Sequence, residues 1–238
     1  MNVPTTYIDV AYDTARTSFT AQKLFDDIRK HPIIACDFEV AIRYTKQQKE
    51  QWQLLLDSTD LSKVDRAFYE SKLQATALDH PSHCTLTHCS IATSDNRSYV
   101  FILDNSSITN YILNYLTSTT QKQVWHNFSY DARHLYYHTR KFPYDFEDTQ
   151  ILAKTLINHV NTFKAKTGLK ELAGHMYGSW GISSDNFDLE HIYDEHVLKY
   201  AAIDSAATMW LWNYINAECD TIDSNLDKQL TLDWEAPY

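Results

Sequence analysis

Residues 33–36, Ile-Ile-Ala-Cys, form an apolar run that follows Pro32 and stops abruptly at Asp37-Phe-Glu39. A run this short and rich in β-formers reads as a strand buried on both faces at the centre of a layered fold. Its two carboxylates then stand at the strand's C-terminal end. Because they are two residues apart, both side chains point to one face. Two charges beside a buried strand call for a charged partner, a cation being the natural one, although Asp-x-Glu taken alone fits a strand end reaching solvent better.

Around that strand the pattern is strands first, then alternation. Residues 84–93 and 98–103 read as two further strands, joined through Ser94, Asp95, Asn96 and Arg97, whose turn-prone side chains suit a hairpin. Ile108, Tyr111, Ile112 and Tyr115 recur at helical spacing, Val124 and Trp125 mark a short strand, and 129–138 returns to helix. Gly168 precedes a short amphipathic helix closed near Gly174 or Gly178. Residues 189–216 form one or two helices with Tyr200, Ile203, Ala207, Trp210 and Leu211 on related faces. The expectation is a single α/β domain over 1–238. Residues 44–83 stand apart: polar, Gln/Lys-rich and too long for a plain loop. Helical patterns lie near 46–56 and from Ser62, where Ser62 and Asp65 resemble a capping box. This is a helical insertion between the first two strands, with Leu61, Val64, Phe68 and Leu73 on an apolar face that packs on the core or meets a partner.

The formal net charge of −10 opposes a polyanionic ligand, but the charge is uneven. Residues 122–170 hold eight Lys/Arg against four acids, whereas residues 185–238 hold twelve acids against Lys199 and Lys228. The middle of the chain is thus free to face a phosphate backbone, although charge alone fits a solvated basic face as well. The four cysteines form no disulfide framework and no apolar run approaches membrane-spanning length. The expectation is a soluble, reduced, cytoplasmic protein without membrane contact.

Two later patterns sharpen the chemistry. Asn127 and Asp131 are four apart at the start of a helix, on one face and within reach of one ligand. Asn127 as a helix cap and Asp131 as a first-turn acid are the bland alternatives. Tyr200 and Asp204 are again four apart, in a helix whose neighbouring positions, Ala-Ala-Ile-Asp-Ser-Ala-Ala, are small or apolar. A lone acid on that face would be costly to bury, which favours a cation there too. An oxygen-only donor set suits magnesium or manganese.

Asp37-x-Glu39, Val124-x-His126-Asn127-x-x-x-Asp131 and Tyr200-Ala-Ala-x-Asp204 together resemble the three exonuclease motifs of the DEDD superfamily, tyrosine subclass. Within it the resemblance is to the 3′-to-5′ proofreading domain of family A DNA polymerases. Phe146-Glu-Asp148-Thr149 and Gly168-Leu-Lys-x-Leu172-Ala resemble stretches of the same domain, and the likeness runs from about residue 30 to 217. It implies a ribonuclease H-like mixed sheet of about five strands flanked by helices. Two divalent ions, Mg2+ or Mn2+, would be held by Asp37, Glu39 and Asp204, with Asp131 in support directly or through water. Tyr200 would orient the attacking water. Asn127 would contact the nucleotide end and Lys164, Lys166 and Lys170 the strand backbone, while Phe38 or Phe128 would either stack on a base or lie in the core. Phe38 and Val40 depart from the small or hydroxyl residues more usual around that glutamate. The closing Leu-Asp-Trp-Glu-Ala-Pro-Tyr resembles the start of the polymerase portion of family A enzymes. The implied function is exodeoxyribonuclease proofreading of single-stranded or frayed DNA 3′ ends, as the exonuclease half of a split polymerase of phage type. An RNase D-like exoribonuclease shares the same motifs, and a binding module on a retired nuclease fold is the third alternative.

Other chemistries are weaker. His83, Cys84, His88 and Cys89 resemble a zinc cluster, but on an unbroken strand Cys84 and Cys89 point to opposite faces. No nucleophile-elbow pattern surrounds any serine.

Overall fold

The run at 33–36 opens β2 (Ile33–Ile42) in the computed structural model, which describes residues 7–42, 46–58, 61–74, 81–82, 84–156, 167–174, 176–182 and 191–235. Before β2 come β1 (Ala11–Ala15) and α1 (Ser18–Ile28); after it come α2 (Lys46–Asp57), α3 (Lys63–Gln74), β3 (Cys84–Ser94) and β4 (Arg97–Ile102). Alternation follows, with α4 (Ser106–Ser118), β5 (Lys122–Trp125), α5 (Phe128–Thr139), β6 (Phe146–Asp148) and α6 (Thr149–Leu156). The chain closes with α7 (Leu169–Ala173) and the 41-residue α8 (Glu195–Glu235).

The six strands form one sheet in the order β1-β4-β3-β2-β5-β6, so the carboxylate-bearing strand is central. β3 is antiparallel to β2 and β4, whereas β1 pairs parallel with β4 and β5 parallel with β2 and β6. This is the expected mixed sheet, with six strands where the resemblance implied about five and the sequence pattern itself marked four. The additions are at its edges. β1 is mostly exposed and has no apolar alternation, and β6 is three residues long, so neither carries a strand signature. With β1 present, the helical insertion lies between the second and third strands.

Strand alternation sorts β2 into two faces. Ile34, Cys36, Phe38 and Val40 enter a core with Phe25, Phe101, Ile112, Leu116 and Trp125. Ala35 faces the other way, onto Ala201, Ala202 and Ala206 of α8, together with Ala92, Val100 and Val124 from neighbouring strands. Small residues on both partners let helix and sheet approach closely. A register shift interrupts the ladder: Glu39 pairs with His88 but Val40 pairs with Leu86, leaving Thr87 as the extra residue of a bulge. The Thr87 hydroxyl donates to the Glu39 carbonyl at 3.1 Å.

α2 and α3 pack chiefly against each other. Ser62 caps α3 through the Asp65 amide at 3.1 Å, as its spacing indicates. The apolar face expected there does not enter the core: Val64 and Phe68 are exposed. No described helix is both long and apolar enough to cross a membrane.

Candidate active site

Asp37 and Glu39 occupy the α8 face of β2, and α8 delivers Asp204 to the same point. One carboxylate oxygen from each lies within 4.8 Å of the others, the one such acid group among the described residues. The site follows from two local facts, the two-residue spacing on a strand and the alanines that let α8 approach; the Thr87 bulge lies in the neighbouring β3 beside Glu39. Glu39 Oε1 is buried and accepts no hydrogen bond. An orphaned carboxylate oxygen in an all-oxygen cluster fits a hard divalent cation, as other donors would already have satisfied it.

Asp204 is held from outside the cluster. The indole of Trp180 donates to its Oδ1. Trp180 is itself fixed by a short bridge in which the Ile8 amide donates to the Ser179 carbonyl at 2.9 Å. One turn earlier on α8, Tyr200 is buried, and its hydroxyl accepts from the Lys170 ammonium, which also lies 4.2 Å from the ring centroid. Lys170 comes from α7, whose N-terminus is set by Gly168 and Glu171.

Asp131 sits on the first turn of α5, buried beside the cluster, and its Oδ1 accepts from the Phe38 amide at 3.2 Å. It braces β2 from behind the three converging acids. Asn127 caps α5 only by position: it adopts a left-handed backbone (φ 58°), which asparagine tolerates, and makes no side-chain cap bond. The free amides are capped instead by Asp148, which accepts from Asn127 at 3.0 Å and Phe128 at 2.9 Å. His126 locks the same corner through Thr149, 2.8 Å from its Nδ1. Burial lowers the His126 pKa to about 4, so it is neutral and structural.

Burial and mutual repulsion raise the proton affinity of the clustered acids. Burial, then repulsion from Glu39, Asp131 and Asp204, raises the Asp37 pKa well above the usual carboxylate range. Glu39 is raised likewise, by burial and then by Asp204 and Asp131. Burial pushes Asp131 up to about 8, against the pull of the Phe38 amide. Asp204 rises only to about 6, because Lys170, Trp180 and Tyr200 favour its charged form.

Asp37, Glu39, Asp131, Tyr200, Asp204 and Lys170 therefore come together as the motifs indicate, and Asn127 is exposed beside them. Phe38 and Phe128 do not serve as base platforms: both are core residues packed on Trp125, at centroid distances of 5.4 and 5.1 Å. For Phe38 the cause is parity, since a residue between two site-facing carboxylates must face the opposite core. Lys164 and Lys166 lie outside the described residues, as does His83. The parity argument against zinc does not hold, and zinc is disfavoured because Cys84, His88 and Cys89 form no metal-sized group among the described residues. The Thr87 bulge reverses the alternation, so Cys84 and Cys89 enter the same core, as buried free thiols. Trp180 carries no sequence signal that marks it, since it acts on a residue 24 positions away, whereas Asp148 lies in the Phe146-Glu-Asp148-Thr149 stretch, whose capping role its local pattern does not reveal.

Residues 72–220 match the family model described as 3′-5′ exonuclease. No curated protein matches the chain in sequence. Among solved structures, NrnC of Brucella melitensis with bound Mg2+ is 15% identical over 96% of this chain and 90% of its own, with a TM-score of 0.56. Escherichia coli RNase D, an exoribonuclease involved in structured RNA processing, is 15% identical over 89% of this chain and 46% of its own, at 0.57. Trypanosoma brucei RNase D in complex with RNA U12 is 14% identical over 87% and 63%, at 0.57. At these identities the likeness is one of fold.

Proposed function

Because the chain belongs to the 3′-to-5′ exonuclease family, within the DEDD superfamily, we propose that it is a metal-dependent exoribonuclease that removes 5′-nucleotides from single-stranded RNA 3′ ends. The observation that carries the chemistry is the convergence of Asp37, Glu39 and Asp204 around the orphaned oxygen of Glu39. RNA is preferred to DNA because the solved nucleases of this fold include one in complex with RNA U12 and one, NrnC, bound to pGG. Polymerase proofreading, which the motifs and the matching family model also allow, takes second place.

Two Mg2+ or Mn2+ ions held by Asp37, Glu39 and Asp204, with Asp131 in support, would supply water activation and charge stabilisation at the leaving oxygen. The rest falls to the chain's own side chains. Tyr200, held between Lys170 and Asp204, stands where its phenol oxygen would orient the attacking water. The water oxygen bonds to phosphorus, the P–O3′ bond breaks, and the departing 3′ oxygen takes a proton. The Lys170 ammonium faces the same space and attracts the scissile phosphate. Asp148 already takes the Asn127 and Phe128 amides, so Asn127 would meet the terminal nucleotide with its side chain.

The test is 3′-end digestion of labelled RNA and DNA of one sequence, with Mg2+, Mn2+ or chelator, beside Asp37→Ala. The expected result is metal-dependent trimming, faster on RNA and lost in Asp37→Ala. Faster DNA trimming would move the reading to proofreading, and no digestion with either metal would leave a binding module.

A further inference from the structure

We propose that the C-terminal end of α5 and the extended run after it form a second nucleic-acid site, an aromatic and basic ledge that holds the single strand upstream of the cleaved nucleotide. This rests on the nuclease reading above. In a chain of net charge −10, residues 132–144 contain no acid and carry Arg133, Arg140 and Lys141. The same stretch exposes large rings: Tyr136, Phe142 and Tyr144 are 44%, 51% and 84% exposed. Tyr136 and Phe142 stack with centroids 5.1 Å apart and planes within 16°, and the Arg140 guanidinium lies 5.6 Å from the Tyr136 ring centre. After Phe142, Tyr144 and Phe146 continue the run of exposed rings, with Pro143 buried and Asp145 exposed between them.

Isolated exposed aromatics need no explanation, but rings and cations together match what a single strand requires. Bases stack on the rings whatever their sequence, while cations neutralise the backbone. The ledge also connects to the catalytic corner. Phe146 packs on Phe128 at 4.5 Å, and Phe128 adjoins the exposed Asn127. α5 has twelve residues, roughly 18 Å at the helical rise per residue. At roughly 3.4 Å per stacked nucleotide, the span corresponds to about five nucleotides. A dinucleotide held at the acids does not reach it, and a twelve-nucleotide strand does.

The test separates the ledge from the active site by substrate length. Phe142→Ala/Tyr144→Ala removes stacking and Arg140→Ala/Lys141→Ala removes charge. Both pairs are exposed and outside the catalytic cluster, and thermal melting confirms folding. Binding of a labelled 12-nucleotide single-stranded RNA is measured in chelator, where no turnover occurs. Hydrolysis of the dinucleotide pGG is measured with Mg2+. The expected result is 12-mer affinity about tenfold weaker for each double variant, with pGG hydrolysis unchanged. The charge variant should also lower the salt slope of 12-mer binding by about 1 to 2. Unchanged 12-mer affinity, no 12-mer binding by the parent protein, or an equal loss on pGG would each overturn the ledge. Failure of the parent protein to hydrolyse any substrate with metal would instead overturn the nuclease reading, while the binding arm still judges the ledge.

Discussion

The two faces of the central sheet use the same strand for opposite ends. On one, Phe25 stacks on Phe101 at 5.0 Å and lies 3.9 Å from Tyr115, among Ile34, Phe38, Ile112 and Trp125. On the other, alanines of β2, β3 and α8 bring the helix onto the strands so that Asp204 meets Asp37 and Glu39. The first face removes a large apolar area from water and stabilises the fold. The second accepts buried acids that destabilise it until a cation arrives. A one-residue step along β2 separates the two roles, so substitutions on neighbouring positions should fail in opposite ways.

The largest contrast is between Asp37→Ala and Phe25→Ala. Removing the central carboxylate should lower nuclease activity by about a thousandfold or more, while leaving chemical unfolding unchanged or shifted to higher urea. Truncating Phe25 should cost about 3–5 kcal/mol of stability through the cavity it leaves. The activity of the fraction still folded should stay near normal. Loss of stability in Asp37→Ala comparable to that in Phe25→Ala would erase the distinction between the faces.

The acid face also makes stability depend on pH in a defined direction. In the fold, Asp204 is raised to about 6, Asp131 to about 8, and Asp37 and Glu39 above the carboxylate range, all chiefly by burial. A raised folded pKa means that the native state holds the proton more tightly than the unfolded chain. The stabilisation is complete below the unfolded values, about 4, and is lost as pH rises through 6 and 8. Asp204 alone, shifted by about two pH units, corresponds to about 3 kcal/mol. Metal-free protein should therefore melt at a lower temperature at pH 8 than at pH 5.5. Mn2+ should restore the melting temperature at pH 8, and Asp204→Asn should raise it without metal. A melting temperature that rises from pH 5.5 to 8 in chelator would contradict this account.

The sequence announces the two faces more clearly than what supports them. The Asp-x-Glu spacing, the Tyr200–Asp204 step and the run at 33–36 are local patterns that become the elements they indicate. β2 runs on to Ile42, however, so its acids stand mid-strand and not at its C-terminal end. Asn127 is an exposed left-handed residue before α5 and does not share a helix face with the buried Asp131. The misses share one cause, that their determinants are tertiary. β1 and β6 exist because neighbours supply ladder partners, not because their residues alternate. The bulge at Thr87 is invisible in Leu-Thr-His-Cys yet reverses which cysteines face inward. Val64 and Phe68 show helical spacing, but no core reaches them. Phe38 was legible in the wrong way: its position in the motif drew attention, while its parity already placed it in the apolar core.

A smaller effect tests whether Trp180 belongs to the acid face as a positioning residue. Trp180→Phe keeps the ring but removes the N–H that Asp204 Oδ1 accepts. Outer-shell partners of ligating carboxylates are typically worth about 10- to 100-fold in metal affinity. Calorimetric titration with Mn2+ should show a loss of about tenfold, with melting of the metal-free protein nearly unchanged. Equal Mn2+ affinity in parent and variant would make the indole a packing residue only.

Gly181 carries the smallest and most indirect version of the comparison. It has φ +67°, and a Cβ there would stand 2.8 Å from Cδ1 of the Tyr7 ring. Gly181→Ala thus combines left-handed strain of about 1–2 kcal/mol with a clash. Tyr7 is an exposed side chain, so its ring can swing away and the clash should add little. Tyr7→Ala in the same protein removes the clash but not the strain. If the turn at Gly181 seats Trp180 against Asp204, both Gly181→Ala and the double variant should weaken Mn2+ binding severalfold, because the strain persists in each. Recovery in the double variant would assign the effect to the ring contact. A stability loss with full Mn2+ affinity would show that the acid face keeps its geometry independently of the turn beside it.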